Sequence, residues 1–226
     1  MQSYIPVASR SQRLKLLTEF AFGALRDPTR ADYVAAVGDL TSVHALRDIR
    51  RRMLVDDEGQ QILRDRPRVN DSTWNKERLG GLPKNTFGYH YFTWMSKFEF
   101  SAEDRSPTKY VPDLELAYIM QRYRETHDTL HVLLNYDVTV SEELAVKWFE
   151  MIQLGLPSTA LAAFFGPLNL IANRDLAQLQ RLTTIYLPHI LQQAQSAKFF
   201  MNIYFEKHFE TDVGLLRSQL GIKPFK

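Results

Sequence analysis

The sequence predicts an all-α, single-domain protein built as a bundle of several helices, and three observations carry this prediction. Apolar residues recur at helical spacing along almost the whole chain. Runs that alternate between apolar and polar residues, as strands do, are scarce and short. The 226 residues, 45% of them hydrophobic and 12% aromatic, are enough to bury one sizeable core. We therefore expect one helical domain over residues 1–226.

The first half of the chain begins with a helix that should end near Arg26, because Asp27 and Pro28 resemble a cap and the first residue of the next helix. A further helix follows Thr41 or Ser42, and its basic face, "RDIRRRM", should lie in solvent. Residues 65–85 are rich in Pro, Gly, Asn and Asp, which predicts an internal loop. The apolar stripe of the first helix consists of Leu14, Leu17, Ala21 and Ala24.

In the second half, a helix of about six turns should begin near Pro112 and run through "DLELAYIMQRYRETHDTLHVLLN". Ser141 is a candidate N-cap for the following helix, "EELAVKWFEMIQ". Residues 151–173 carry no charge, but two glycines and two prolines interrupt them, which favours buried helix pieces or a lipid-contacting surface over a membrane span. A last helix should carry Phe205, Phe209, Val213, Leu216 and Leu220 in one register and end at Gly221.

Composition narrows the function classes. The 28 basic and 26 acidic residues leave a formal charge of +2, which disfavours nucleic-acid binding because that function needs clustered positive charge. The chain has no cysteine, so any metal must be bound through nitrogen and oxygen atoms.

Four side chains have the spacing of a metal site between two consecutive helices. His127 and His131 lie one turn apart on the predicted helix, with Asp128 on the adjacent flank, and Glu143 opens the next helix. Two histidines and two carboxylates suit Zn²⁺, and the same set resembles the facial ligands of Fe²⁺. A pair of histidines four residues apart also occurs by chance in surface helices, and carboxylates are common in first helical turns. These side chains nevertheless lie on an otherwise apolar helix face, where burying polar groups without a partner is costly. A metal ion would be such a partner, so this environment favours a metal site.

Three further residues on these helices are candidate catalytic groups. Arg124 faces the same side as His127 and can bind a substrate carboxylate, or form an ordinary salt bridge. Lys147 and Glu150 share the helix face of Glu143 and can orient the ligands or move protons, or Lys147 can simply pair with Glu143.

The sequence resembles the coenzyme Q biosynthesis protein 4 family over nearly its whole length. The pattern H-D-x-x-H followed by eleven residues and Glu fits His127, Asp128, His131 and Glu143. The stretches "LPKNTFGYHYFTWM", "RSPTKYVPD", "AYIMQRYRETHDTLHVLL", "GLPSTALAAFFGPL" and "NIYFEKHFETDVGLLRSQLGI" extend the resemblance and are far more specific than the metal motif alone.

The resemblance implies a role in ubiquinone synthesis. It implies metal-dependent C1 decarboxylation of a polyprenylated 4-hydroxybenzoate intermediate, of the 4-hydroxy-3-methoxy-5-polyprenylbenzoate type, with C1 hydroxylation in an oxidative version. It also implies a peripheral position on the matrix side of the mitochondrial inner membrane. The implied partners are a polyprenylated benzoate or quinone precursor lipid, the membrane surface and the other enzymes of the coenzyme Q synthesis complex, and a homodimer is left open.

Two other functions remain open at the level of sequence. The first is a non-enzymatic, lipid-binding scaffold that organises the coenzyme Q enzymes, with a purely structural metal closed by four protein ligands. The second is a metal-dependent phosphohydrolase with an His-Asp motif, which needs further ligands on other helices. It ranks last because the other histidines, His44, His90, His189 and His208, show no matching arrangement.

Overall fold

The computed structural model describes residues 4–7, 9–26 and 30–226, and within these residues the regular structure is helical, with no β-strand. The predicted all-α class is confirmed. Asp27 and Pro28, which were expected to start the second helix, lie outside the described residues. The helices are α1 (Arg10–Arg26), α2 (Ala31–Thr41), α3 (Val43–Leu54), α4 (Asp57–Asp65), α5 (Lys76–Gly80), α6 (Phe87–Lys97), α7 (Leu114–Leu134), α8 (Val140–Leu154), α9 (Pro157–Ala172), α10 (Leu176–Arg181), α11 (Leu187–Ser196) and α12 (Val213–Leu220). A π-helical segment, Leu182–Tyr186, joins α10 to α11.

Helix α7 is the centre of the molecule. It is buried around nearly its whole circumference and packs against α3 and α6. It begins at Leu114 and not at Pro112, because the Asp113 carboxylate accepts hydrogen bonds from the backbone amides of the first turn. It ends where Asn135 takes the left-handed conformation, with φ of 59°. Its deep burial means that every polar side chain on α7 needs a partner from another element.

Helix α8 supplies the second wall of the site. Its N-cap is Thr139 and not Ser141, because Thr139 and Glu142 form a reciprocal capping box. Ser141 lies inside the helix, where its amide and hydroxyl both donate to the side-chain oxygen of Gln178. The helix ends at Gly155, which has φ of 64°, and packs against α9 and α11.

Residues 65–85 are more ordered than a loop alone. They contain the short helix α5, and Val69, Trp74 and Leu79 within them are buried. The amide of Val69 donates to the carboxylate of Glu125 on α7 at 3.0 Å, and Arg68 forms an ion pair with the same carboxylate. This segment is therefore packed against the central helix.

The C-terminal helix is shorter than its apolar pattern predicts. Phe205 and Phe209 are buried, but Phe205 belongs to a 3₁₀ turn and both precede α12. Helix α12 begins at Val213 because Asp212 caps it, and it ends before Gly221 as expected. The single register predicted for this helix was thus wrong at its two phenylalanines.

The uncharged stretch 151–173 forms the end of α8, a break at Gly155 and then α9. One side of α9 is buried, and another exposes large apolar side chains. In the parts of the chain that the structure describes, no helix is both long and apolar enough to cross a membrane. The exposed side chains on α9 are Leu161, Phe164, Phe165, Leu168 and Ile171.

Candidate metal centre

Two histidines of α7 and one glutamate of α8 converge on one point. The Nε2 atoms of His127 and His131 lie 3.7 Å and 3.3 Å from the carboxylate oxygens of Glu143. One ligand atom from each of the three residues lies within 4.8 Å of the other two, a spacing that fits a single metal ion. The helical spacing predicted that the two histidines would stack, and the structure brings Glu143 to them.

Each histidine is held through its other ring nitrogen. His131 Nδ1 donates to the backbone carbonyl of Asp137 at 2.9 Å, since a carbonyl can only accept. His127 Nδ1 lies 2.6 Å from the carboxylate of Glu150. In each case the lone pair of the neutral ring is left on Nε2, the atom that faces Glu143. Metal-binding histidines are oriented in this way.

The Nε2 atom of His131 is fully buried and has no hydrogen-bond partner among the residues that the structure describes. Leaving such an acceptor unsatisfied is costly. A metal ion between His131, His127 and Glu143 would satisfy it. These residues therefore fit a divalent metal ion.

The charges around Glu150 are coupled. Burial opposes its ionisation, but Lys147 and His127 outweigh that effect and lower the pKa of Glu150 to about 2. Lys147 Nζ and the Tyr123 hydroxyl both donate to this carboxylate at 2.9 Å. Burial opposes the charge on Lys147 as well, yet Glu150 raises its pKa above the usual range. Glu150 thus favours the charged form of Lys147 beside the metal centre.

The same environment shifts the pKa values of two of the ligands, His127 and Glu143. Burial and Lys147 oppose a charge on His127, but Glu150 and Glu143 outweigh them and raise its pKa. Burial likewise opposes ionisation of Glu143, but its contacts with His127 and His131 lower its pKa far below the usual range. The carboxylate is thus ionised, and a metal ion at His127 would take the place of a proton.

Asp128 is not part of this convergence. Its carboxylate is 3% exposed and forms an ion pair with the guanidinium of Arg105, which lies in the segment before α7. Three of the four expected ligands are thus brought together, and Asp128 is outside the group. Its role as a fourth ligand stays a prediction.

Arg124 lies on the same side of α7 as His127 but is occupied with structural contacts. Its Nη2 atom donates to the carbonyl of Ala35 and to the carboxylate of Asp39, both at 2.7 Å, and its Nη1 atom donates to the hydroxyl of Thr108. These bonds join α7 to α2. The geometry matches the salt-bridge alternative for Arg124.

The metal centre opens into a cavity of about 580 Å³. Its wall comes from α2, the segment 100–106, α7, α8 and α9. His127, Asp128 and Glu143 line it, together with the cations Arg105, Arg124 and Lys147. A volume of this size accommodates a substituted aromatic ring.

The donor set bears on the type of metal site. Two imidazoles and one carboxylate are the ligands of many catalytic zinc sites and of the iron(II) facial triad. Structural zinc sites are instead closed by four protein ligands. Two of the three convergent ligands, His127 and Glu143, line the cavity, which favours a site that is open to a small molecule.

Sequence reasoning missed three groups of this site. Arg105 lies in an irregular segment 23 residues before its partner Asp128, so no periodicity connects them. The Asp137 carbonyl is a backbone atom, and any residue type could supply it. Tyr123 had a usable signal, because it lies four residues before His127 and therefore on the same helix face.

Comparisons with known proteins bear on the family and on the fold. The family described as "Coenzyme Q (ubiquinone) biosynthesis protein Coq4" matches residues 2–226. The mitochondrial ubiquinone biosynthesis protein COQ4 homologue 2 of Paramecium tetraurelia is 47% identical over 191 residues, covering 84% of this chain and 89% of the relative. The mitochondrial COQ4 homologue of Aedes aegypti is 42% identical, covering 95% of this chain and 77% of its own.

A human relative and a solved structure complete the comparison. The mitochondrial COQ4 homologue of Homo sapiens is 41% identical, covering 88% of this chain and 74% of its own. A crystal structure from Nostoc punctiforme, of a protein assigned to ubiquinone biosynthesis, shares the fold with a TM-score of 0.72 at 19% identity. The match covers 95% of this chain and 99% of that one. The chain therefore belongs to the coenzyme Q (ubiquinone) biosynthesis protein Coq4 family.

Proposed function

We propose that this protein removes the C1 carboxyl group from a polyprenylated 4-hydroxybenzoate intermediate of ubiquinone biosynthesis, of the 4-hydroxy-3-methoxy-5-polyprenylbenzoate type. The observation that carries the proposal is the convergence of His127, His131 and Glu143 on one point of a cavity wall. Family membership supports the pathway, and the site supports the chemistry. We also propose a peripheral position on the matrix side of the mitochondrial inner membrane, since the relatives are named mitochondrial.

His127, His131 and Glu143 would hold the metal ion, Zn²⁺ or alternatively Fe²⁺. Bound there, the ion would act as a Lewis acid that stabilises negative charge on the substrate. Glu150 holds the His127 ring in the orientation that presents Nε2. The Asp137 carbonyl does the same for His131.

The reaction needs charge stabilisation and a proton. When the carboxylate leaves as CO₂, the electron pair of the broken carbon–carbon bond stays on ring carbon C1, which then takes one proton from solvent. Lys147, which Glu150 holds through a hydrogen bond of 2.9 Å, would place a positive charge beside the ring. In the oxidative version, C1 gains a hydroxyl group instead, and an oxidant such as dioxygen is consumed.

The polyprenyl tail requires an apolar surface next to the cavity. Helix α9 meets this requirement, because Ser158, Thr159 and Ala162 line the cavity while other side chains of the same helix are large, apolar and exposed. We propose that this exposed side, which includes Phe164 and Phe165, meets the tail and the membrane surface. The other enzymes of the coenzyme Q synthesis complex are the proposed protein partners.

The test is single-turnover conversion of 4-hydroxy-3-prenylbenzoate by purified protein loaded with Zn²⁺ or Fe²⁺, with and without dioxygen. The proposal predicts release of CO₂ in proportion to bound metal, and its loss in Glu143→Gln. Glu142→Gln is the matched control, because Glu142 is the neighbouring carboxylate and caps the helix without facing the histidines.

A non-enzymatic scaffold is the alternative outcome of this test. If the protein binds metal and the prenylated acid but releases no CO₂, even with partner enzymes and dioxygen present, the scaffold function replaces the proposed one. The three-ligand site on a cavity wall favours the enzyme, because a structural metal is usually enclosed by four ligands.

A further inference from the structure

Three cationic side chains line the cavity, and they differ in the hydrogen bonds that they already form. The guanidinium of Arg124 is committed to Ala35, Asp39 and Thr108. The ammonium of Lys147 is anchored to the buried carboxylate of Glu150. The third cation, Arg105, is bonded to Asp128 through Nη2 alone.

Arg105 has a donor without an acceptor. Its Nε atom is buried and has no hydrogen-bond partner in the described part of the chain, while the side chain as a whole is 30% exposed and lines the cavity. An unsatisfied buried donor of a charged group is among the costlier defects of a folded protein. The guanidinium is fixed by a nearly fully buried carboxylate, so Nε cannot easily turn towards solvent.

A second unsatisfied group lies in the same electrostatic environment. The hydroxyl of Tyr91 is buried, and it too lacks a hydrogen-bond partner among the described residues. Burial raises the pKa of Tyr91, the Asp128 carboxylate adds to this effect, and Arg105 opposes it. The Tyr91 hydroxyl is therefore within electrostatic reach of the Arg105–Asp128 ion pair.

We propose that Arg105 is the carboxylate-binding group of this cavity and that Asp128 is its positioning residue. In this arrangement the carboxylate of an aromatic acid accepts hydrogen bonds from the part of the Arg105 guanidinium that lines the cavity, and the ring lies between Arg105 and the three metal ligands. Guanidinium groups are well suited to carboxylates because their N–H groups are fixed in a planar fork. The inference rests on the proposed function for the identity of the acid.

The inference assigns Asp128 a role that differs from metal ligation. As a ligand, Asp128 would be required for metal binding. As the partner of Arg105, it is required for acid binding and is dispensable for the metal. The two roles are separated by measuring both properties on the same variants.

The experiment is isothermal titration of zinc-loaded protein with 4-hydroxy-3-prenylbenzoate and with its neutral carboxamide. The variants are Arg105→Gln, Arg105→Lys and Asp128→Asn. Arg51→Gln, which removes an exposed arginine outside the cavity, is the control. We expect the Kd for the acid to rise at least about tenfold in Arg105→Gln and in Asp128→Asn, with no change for the amide. We expect Arg105→Lys to fall between Arg105→Gln and the wild type.

Zinc content and circular dichroism are measured on every sample, and both should match the wild type. The inference is overturned if Arg105→Gln binds the acid as tightly as the wild type does. It is also overturned if the wild type binds neither compound. Loss of zinc in Asp128→Asn overturns the positioning role. Binding is measured without turnover, so the inference and the proposed function can fail separately. If the protein prefers the acid through Arg105 but releases no CO₂, the proposed function is refuted and the inference stands. If the wild type releases CO₂ and Arg105→Gln binds the acid with unchanged affinity, the inference is refuted and the proposed function stands.

Discussion

Glu150→Gln should weaken metal binding although Glu150 faces none of the open space at the site. Its carboxylate is fully buried and receives three donors, from His127, Tyr123 and Lys147. A glutamine offers one oxygen and one amide group, so at least one of the three donors must face another donor. If the donor that loses its acceptor is the Nδ1–H of His127, the ring loses the hydrogen bond that orients Nε2 towards the metal site.

The magnitude follows from this one contact. A hydrogen bond to a charged acceptor contributes about 1.5–3 kcal/mol, and outer-shell partners of metal-bound histidines typically account for about 10–100-fold in metal affinity. Since each factor of ten corresponds to about 1.4 kcal/mol, the two estimates agree. We therefore expect the Kd for Zn²⁺ to rise about 10–100-fold in Glu150→Gln.

The assay is a zinc titration in competition with a chromophoric chelator at neutral pH. Glu142→Gln is the control, because it makes the same chemical change on the same helix and a glutamine also completes the capping box. Circular dichroism verifies that both variants fold. Equal zinc affinities for the two variants would refute the reasoning that Glu150 orients His127.

Two further predictions concern stability. Glu206→Ala should lower the free energy of unfolding by about 3–5 kcal/mol, since it leaves the 2%-exposed guanidinium of Arg122 without its bidentate partner; a loss below about 1 kcal/mol in urea unfolding would contradict this. Glu58 should stabilise the protein above pH 4.5 and lose that contribution as the pH falls towards 2. Burial opposes its ionisation, but His208 at 3.8 Å and hydrogen bonds from Lys198 and the Tyr204 amide hold its pKa at about 2, below the ordinary value of 4.5. Glu58→Gln should therefore flatten the decline in stability between pH 4.5 and 2, and an unchanged profile would count against the assignment.

The helices that carry the site were predictable because their signals are local. Helical spacing predicted that His127 and His131 lie one above the other on α7. Glu143 was expected near them because it lies in the first turn of the following helix, α8. The N-cap of α8 was misplaced by two residues, because Thr139 and Ser141 are both good caps. The reciprocal bond between Thr139 and Glu142 decides between them, and it exists only in three dimensions.

The parts that sequence could not predict depend on contacts distant along the chain. The partner of Asp128 is an arginine from an irregular segment, and the partner of Arg124 is Asp39 on α2, 85 residues away. Phe205 and Phe209 fit the spacing of a continuous helix, but Asp212 caps α12 after them. Periodicity alone does not reveal such an interruption, because the buried residues on both sides of it keep the same spacing.

The central claim is that His127, His131 and Glu143 bind one metal ion. The most direct test is metal stoichiometry, measured by inductively coupled plasma mass spectrometry on wild type, Glu143→Gln and Glu142→Gln after equilibration with Zn²⁺ and desalting. We expect about one zinc per chain in the wild type and in Glu142→Gln, and far less in a folded Glu143→Gln. Equal zinc content in all three proteins would show that Glu143 is not a metal ligand.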